Sequence, residues 1–259
     1  MPESKRDRQS CEVEMENSHI MITGSNRGIG NAILRDLCKN GKNVIAHSRC
    51  VRDYFSENIY ELSNKYQVDI RPVYFDMTDS EQMRKELKQI FSEKKQIDCL
   101  INCAGTALFS FFPLMKISEI RRIFDINLFS VMELTQLVVR QMIKRRKGCI
   151  VNISSTAGFD LKTNNSAYGV SKAALNAFTK ELAMELGQFN IRVNAVAPGI
   201  VDTDMVKEIG ESNYDMLISN SALNRAAIPE EISNVVRWLC SDEASYVNGQ
   251  IIRADGGMI

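Results

Sequence analysis

Tyr168 and Lys172 stand four residues apart at the start of an apolar-periodic segment, so a helix would present both side chains on one face. A phenol with a pKa near ~10 is a poor acid at neutral pH, and a neighbouring ammonium lowers that pKa by favouring the phenolate. Tyr168 could therefore exchange a proton with a substrate. A Tyr–Lys pair at this spacing also fits a plain solvated helix face, so the chemical interpretation needs further residues.

A glycine-rich segment at 23–30, Thr-Gly-Ser-Asn-Arg-Gly-Ile-Gly, lies between an apolar run at 19–22 and a helical pattern that starts near 30. Its glycines allow a tight turn and a close backbone approach to a phosphate, and a following helix N-terminus favours an anion. The spacing Gly-x3-Gly-x-Gly departs from the usual G-x-G-x-x-G fingerprint of dinucleotide sites. On its own, this segment also fits a simple connection between two elements.

Together the two motifs resemble the short-chain dehydrogenase/reductase family, which has a Thr-Gly-x3-Gly-x-Gly cofactor turn and a Tyr-x3-Lys active-site pair. The resemblance covers nearly the whole chain. Further matching segments lie at 102–105, 152–155, 191–194, 198–199 and 255–257. The resemblance implies four catalytic residues: Asn127, Ser155, Tyr168 and Lys172.

The resemblance assigns each of these residues a task in reducing a carbonyl. Hydride passes from a nicotinamide to the carbonyl carbon, Tyr168 protonates the oxygen, and Ser155 stabilises its charge. Lys172 lowers the phenol pKa and holds the nicotinamide ribose, while Asn127 holds a water that allows reprotonation. Ser155 is preferred to Ser154 because it lies thirteen residues before Tyr168, which is the family's interval.

The resemblance also implies a dinucleotide site in which Tyr168 and Lys172 take part. Its other expected members are Gly24, Ser25, Asn26, Arg27, Gly28, Ile29, Gly30, Ser48, Arg49, Asp76, Met77, Asn102, Cys103, Ala104, Gly105, Pro198, Gly199, Val201 and Thr203.

The end of the second predicted strand favours NADPH over NADH. Ser48 stands where NAD-preferring relatives place Asp, and Arg49 follows it. An acidic residue there binds a free ribose 2′-hydroxyl, whereas arginine suits a 2′-phosphate. Arg27 could contact the same phosphate through charge-assisted hydrogen bonds. The alternative is that both are ordinary surface arginines.

Apolar strand patterns alternate with helical ones, which predicts an α/β fold: one Rossmann-type domain with a doubly wound parallel sheet of about seven strands. Strands are predicted at 20–23, 44–48, 70–76, 99–103, 149–154, 192–197 and 250–253, and helices near 30–39, 53–66, 79–94, 117–145, 168–187 and 229–241. Residues 1–17 are predicted to be a flexible charged extension to a single domain at 18–259. A substrate lid is predicted at about 203–226.

Composition limits the classes of function. The chain has 259 residues and a formal net charge of zero, which gives no indication of nucleic-acid binding. Without a signal peptide or a long apolar run, we expect a cytoplasmic protein with no membrane segment. Seven scattered cysteines show neither a disulfide framework nor metal-ligand spacing, so we expect reduced core residues and no metal. His19 and His47 lie in strands and are expected to be structural.

The substrate is the least determined feature. The pattern is most similar to 3-oxoacyl-acyl-carrier-protein reductases, and the basic run 144–147 could contact an acidic carrier protein. The same run also suits a helix C-terminus, and Phe189 replaces an arginine that carrier-dependent relatives often have. A sugar, a steroid-like compound or another small ketone is the alternative substrate, and an NADPH-binding scaffold or sensor is the non-enzymatic alternative. The resemblance implies a homotetramer.

Overall fold

The fold is one seven-stranded, wholly parallel sheet in the order β3-β2-β1-β4-β5-β6-β7. The computed structural model describes residues 18–160, 163–204 and 218–258. All seven predicted strands are present. Their bounds are β1 Ser18–Ile22, β2 Asn43–Ser48, β3 Ile70–Tyr74, β4 Gln96–Asn102, β5 Gly148–Ile153, β6 Ile191–Pro198 and β7 Ile251–Ala254.

Helices cover both faces of the sheet, which confirms the predicted Rossmann-type architecture. They are α1 Gly28–Lys39, α2 Asp53–Tyr66, α3 Ser80–Ser92, α4 Ile117–Phe124, α5 Ser130–Arg145, α6 Ser166–Leu186 and α7 Pro229–Cys240. One apolar core packs α1, α2 and α7 against the sheet, and the other packs α3, α5 and α6. Burial on both faces explains the continuous apolar strands.

The backbone is helical throughout the helix predicted at 117–145, but its geometry changes near the middle. A π-helical segment, Asp125–Phe129, separates α4 from α5. Asn127 lies in this segment, where its side chain accepts a hydrogen bond from the Thr106 amide and donates one to the Thr106 carbonyl. The helix prediction is confirmed, whereas the π-helical turn was not predicted, because helical periodicity carries no sign of a contact with a distant loop.

The glycine turn after β1 depends on close backbone contacts. Gly24 has a φ of +68°, and a Cβ there would lie 2.9 Å from the Ala104 Cα. A Cβ on Gly30 would lie 2.1 Å from the Gly24 carbonyl oxygen. Thr23 Oγ1 accepts hydrogen bonds from the amides of Cys103 and Ala104, at 2.9 and 3.0 Å. The turn is therefore held against the loop that follows β4.

Two predicted regions fall outside the described residues. The extension at 1–17 is one, and residues 205–217 of the predicted lid are the other. Within the described helices, none is long and apolar enough to cross a bilayer.

We predict that Gly30→Ala destabilises the protein by about 1–3 kcal/mol, the usual range for overpacking a tight contact. Gly187→Ala is the matched control, because a Cβ there meets only Asn248 Nδ2 at 3.6 Å. Urea unfolding of both variants measures the difference. Equal stability of the two variants would show that the turn can relax.

Candidate active site

A cleft of about 760 Å³ opens at the carboxyl ends of the strands. Parallel strands end at the same edge, so the loops after β1, β2, β4, β5 and β6 meet there. The cleft is lined by Ser155, Tyr168 and Lys172 and by most of the predicted dinucleotide residues: Gly24, Asn26, Arg27, Gly28, Ile29, Gly30, Ser48, Arg49, Asp76, Met77, Cys103, Ala104, Gly105, Pro198, Gly199, Val201 and Thr203.

Three predicted site residues do not line the cleft. Ser25 is buried, and its hydroxyl donates to the His47 carbonyl at 3.0 Å. Asn102 is also buried, and its amide donates to Asn152 Oδ1 at 2.8 Å. Asn127 is fully buried beneath the loop after β4. These side chains support the walls of the cleft from behind.

Lys172 is the most constrained charged group of the site. Its side chain is buried, and Nζ donates a hydrogen bond of 2.8 Å to the Ile153 carbonyl at the end of β5. Nζ also lies 5.8 Å from the centre of the Tyr168 ring. Burial lowers the pKa of Lys172 to about 8, so the amine is still mostly charged at neutral pH.

Burial raises the pKa of Tyr168, and its hydrogen bond with Ser155 opposes that rise. The Tyr–Lys spacing predicts that the neighbouring ammonium lowers this pKa, but desolvation of the buried phenol is the largest effect on it. Tyr168 is therefore a protonated phenol at neutral pH. In that state it can give a proton to a substrate oxygen.

Ser154 and Ser155 have different environments. The Ser154 hydroxyl is buried and donates to Asn176 Oδ1 at 2.6 Å. The Ser155 hydroxyl oxygen accepts from the Ala157 amide at 3.1 Å, which leaves its own proton available to donate. Because Ser155 also bonds Tyr168, the geometry favours Ser155 as the hydroxyl that contacts a substrate.

Asn127 approaches the same centre from the π-helical segment. Besides its bonds to Thr106, its amide lies 3.0 Å from the Ser171 hydroxyl on α6. A Cβ on Gly105 would be 3.4 Å from Asn127 Oδ1 and 3.6 Å from Lys172 Nζ. Asn127 Oδ1 and Lys172 Nζ therefore both lie close to the position that a side chain on Gly105 would occupy, at the wall of the cleft.

The N-terminus of α1 suits a phosphate. Arg27 is its N-cap residue and makes no capping side-chain bond, and the first turn carries no acidic residue. Gly28 lines the cleft at this point with a φ of +54°. Free amides and the positive end of the helix dipole favour an anion here, so the residues present fit the pyrophosphate of a dinucleotide.

Arginines concentrate at the neighbouring end of the cleft. Arg27 and Arg49 line it as predicted, and Arg52 and Arg122 join them from α2's N-cap and from α4. The sequence gives no sign of Arg52 and Arg122 because only the fold brings their elements to this edge.

Asp76 shares this end of the cleft. A hydrogen bond from the Thr78 amide is the main cause of its lowered pKa, with smaller contributions from Arg49 and Arg122. Asp204 also lines the cleft, and its Oδ2 lies 4.0 Å from Arg27 Nη1. Four arginines beside two carboxylates leave an excess of positive charge that attracts an additional phosphate.

His47 supports the glycine turn, a role that its place in a strand did not reveal. Its Nδ1 accepts from the Gly24 amide at 3.1 Å, and its Nε2 donates to the Phe75 carbonyl at 2.8 Å. One neutral ring thereby joins the ends of β1, β2 and β3. Burial lowers the pKa of His47 to about 4.

Aromatic side chains border the catalytic end. The Phe109 ring lies 6.0 Å from the Tyr168 ring in an edge-on arrangement. Phe111 and Phe112 follow it on the loop and are exposed, and Met115 lies near Ser166. Phe109, Phe111 and Phe112 form an exposed aromatic rim on the loop after β4, and Phe109 joins this rim to Tyr168.

Comparisons with known proteins extend over the whole domain. A family model described as enoyl-(acyl carrier protein) reductase matches residues 24–259. The 3-oxoacyl-[acyl-carrier-protein] reductase of Aquifex aeolicus is 36% identical over 95% of this chain and 99% of its own length. The 3alpha-hydroxysteroid dehydrogenase of Mediterraneibacter gnavus is 35% identical over 93% of this chain and 97% of its own. A solved structure described as ElxO with NADP bound matches with a TM-score of 0.85 at 27% identity, covering 93% of this chain and 98% of that one.

We predict that His47 makes stability fall as the pH drops from about 6.5 to about 4. Its folded pKa is the lower one, so in that window the unfolded state binds more protons. His47→Gln keeps a hydrogen-bond donor and an acceptor but has no group that ionises. Between neutral pH and pH 4.5, its free energy of unfolding should therefore fall by about 2 kcal/mol less than that of the unmodified protein. Urea unfolding at several pH values measures the slopes. Because His19 is present in both proteins, identical slopes would contradict the assignment to His47.

Proposed function

The chain belongs to the short-chain dehydrogenase/reductase family of NAD(P)-dependent oxidoreductases, and from this premise we propose that it reduces 3-oxoacyl thioesters to 3-hydroxyacyl thioesters with NADPH. One observation carries the proposal. The buried Lys172 ammonium, the Tyr168 phenol and the Ser155 hydroxyl converge on one end of a cleft whose other end suits a phosphorylated nucleotide.

A bound nicotinamide supplies the hydride that reaches the carbonyl carbon of the substrate. The protein's residues handle the oxygen. Ser155 donates a hydrogen bond to it as negative charge develops, and Tyr168 transfers its phenolic proton to it. Lys172 stabilises the phenolate that remains, because an ammonium next to a phenolate in a buried site interacts strongly with it.

Reprotonation of Tyr168 needs a path to solvent. We assign this path to Lys172 and to water held at Asn127, because both side chains reach the position that a Cβ on Gly105 would occupy. The π-helical segment serves this role by turning Asn127 inwards, where its two bonds to Thr106 fix the amide.

We predict that Tyr168→Phe keeps NADPH binding and loses at least ~100-fold in turnover, the lower end of what a positioned acid contributes. Ser155→Ala should lose ~10²–10³-fold in kcat. Ser154→Ala is the matched control and should change stability more than turnover, because it leaves Asn176 without a buried partner. Steady-state kinetics and cofactor titration measure all three. Near-normal turnover of Tyr168→Phe would refute the mechanism.

The cofactor proposal rests on the arginine cluster. Arg49 is exposed beside Ser48, and Arg27 and Arg52 line the same part of the cleft. These arginines outnumber the two carboxylates of the cleft, Asp76 and Asp204. Arginine pairs well with a phosphate dianion through several N–H donors. The NADP-bound ElxO structure supports this choice by similarity alone.

We predict that NADPH is preferred over NADH by more than ~10-fold in kcat/KM, a difference of ~1.4 kcal/mol. Arg49→Ser should reduce that ratio mainly by raising KM for NADPH. Arg121→Ser is the control, because Arg121 is exposed on α4 but does not line the cleft. A preference for NADH in the unmodified enzyme would contradict the assignment.

Two substrate classes remain, and different observations favour each. The relative from Aquifex aeolicus and others like it support an acyl thioester on a carrier protein. The 35% identical 3alpha-hydroxysteroid dehydrogenase and the aromatic rim at 109–112 support a steroid-like ketone as the second candidate. The convergence of Ser155, Tyr168 and Lys172 argues for catalysis rather than for an NADPH-binding scaffold.

We predict that the enzyme consumes NADPH with acetoacetyl thioesters at a kcat/KM at least ~10-fold above that for cyclic, steroid and sugar ketones. The assay follows NADPH absorbance over a matched series of ketones. If kcat/KM is instead higher for the steroid ketones than for the thioesters, the second candidate substrate replaces the first. No turnover with any ketone would favour the scaffold.

The basic run 144–147 is mostly committed to structure. Arg145 donates to Asp98 at 2.9 Å, and Lys147 lies 3.7 Å from the same carboxylate. Arg146 donates to the Gln188 carbonyl and stacks over the Phe189 ring. Within one chain these residues lie at the amino end of β5, at the edge opposite the cleft. They support the helix-terminal interpretation of this run.

A carrier protein could still reach the cleft in an assembly. We propose a homotetramer, supported by the exposed face of α6, where Val170, Ala173, Ala177 and Met184 recur at helical spacing. Antiparallel packing of two such faces would set the C-terminal end of one α6, with Arg146 beside it, near the catalytic end of the other. Light scattering that gives the mass of one chain would contradict this assembly.

A further inference from the structure

Three cysteines that are far apart in the sequence meet on the face of the sheet opposite α5. Cys99 lies on β4, Cys149 lies on β5, and Cys240 is the last residue of α7. Their three sulfur atoms all lie within 4.8 Å of one another, and those of Cys99 and Cys240 are 3.2 Å apart. Cys99 and Cys149 are register partners on neighbouring strands, and α7 places Cys240 over them.

This cluster is separate from the candidate active site. Cys149 precedes Ser154 by five strand residues, which corresponds to about 16 Å along the sheet. None of the three cysteines lines the cleft. The proposed reductase mechanism makes no use of them.

We propose that Cys99, Cys149 and Cys240 form a three-sulfur binding site for a single cuprous ion. Metal–thiolate bonds of about 2.3 Å in a trigonal arrangement separate the sulfurs by about 4 Å. The observed separations, 3.2 Å for Cys99 and Cys240 and no more than 4.8 Å for any pair, bracket that distance, so small side-chain shifts complete the site. Thiolates are soft ligands that select Cu(I). Zinc in a closed site takes four ligands, and among the described residues the group contains only three His, Cys, Asp or Glu side chains.

Arg192 offsets the negative charge that such a site gathers. Its guanidinium donates to the carbonyls of Leu239 and Ser241, at 2.9 and 3.1 Å, and so fixes the end of α7 beside the sulfurs.

One of the three cysteines lies partly at the surface, and the binding reaction balances in atoms and charge. Cys99 and Cys149 are buried, whereas residue Cys240, at the end of α7, is partly exposed. On binding, the S–H bonds are replaced by Cu–S bonds and the thiol protons pass to solvent. Copper remains Cu(I) throughout, so the step needs no oxidant or reductant. The site would also tie α7 to β4 and β5, and binding would then stabilise the fold.

The test uses the full chain with three cysteines outside the cluster replaced by serine: Cys11, Cys50 and Cys103. Cys50 is exposed, Cys103 lines the cleft, and Cys11 lies outside the residues that the structure describes. This parent protein is titrated with Cu(I) under anaerobic conditions against a chromophoric Cu(I) chelator. We expect one equivalent per chain, an ultraviolet thiolate-to-copper absorption band, and a Tm that rises with Cu(I) concentration.

Cys240→Ser in the same parent should weaken Cu(I) binding at least ~10-fold and remove the absorption band. Cys38→Ala is the matched control, because Cys38 is buried in the same apolar core but outside the cluster, and it should keep both. Circular dichroism of the metal-free variants separates lost binding from lost folding. If Cys240→Ser does not fold, Cys149→Ala replaces it.

Three results would overturn the proposal. The parent protein could show no stoichiometric Cu(I) binding, in which case the cysteines are only small apolar core residues. Alternatively, the cluster variants could bind Cu(I) as tightly as the Cys38→Ala control. Tight zinc binding without copper binding would equally contradict the three-coordinate assignment. None of these outcomes depends on reductase activity, so they are distinct from a failure of the proposed function.

Discussion

The buried ammonium of Lys172 is the interaction on which the candidate site depends. A charged amine removed from water needs a partner, and the Ile153 carbonyl at the end of β5 provides one. This bond fixes the start of α6 against the sheet. Tyr168, one turn earlier on the helix, is thereby held over the cleft beside Ser155. The burial that makes the arrangement costly also makes the charge effective, because little water screens it from a phenolate.

The glycine turn depends on a second, purely steric constraint. Gly24 and Gly30 allow the chain after β1 to touch its own next turn and the loop after β4, and side chains there would displace both. His47 then ties the turn to β2 and β3 with two hydrogen bonds from a neutral ring. The amides of α1 consequently face the cleft in a fixed position, without a capping side chain that would compete with an anion.

The two ends of the cleft differ in chemistry. Four arginines and the free helix terminus make one end suited to phosphate groups, while the Phe109 ring and its exposed neighbours make the other end apolar. A ligand that carries phosphates at one end and presents a ring to an apolar substrate fits this polarity. The three-cysteine cluster lies at the other edge of the same sheet, so a reaction and an ion site can coexist without contact.

The sequence alone determined the family, the seven strands, the single-domain parallel architecture and the Tyr168–Lys172 pair, because these depend on local periodicity and on short, fixed spacings. It could not determine the π-helical turn at Asn127, where the side chain bonds Thr106, twenty-one residues away. The bracing role of His47, the added arginines Arg52 and Arg122 and the cysteine cluster likewise appeared only in the structure. Each joins residues from different elements, and only the packing of helices on a twisted sheet decides which distant side chains meet.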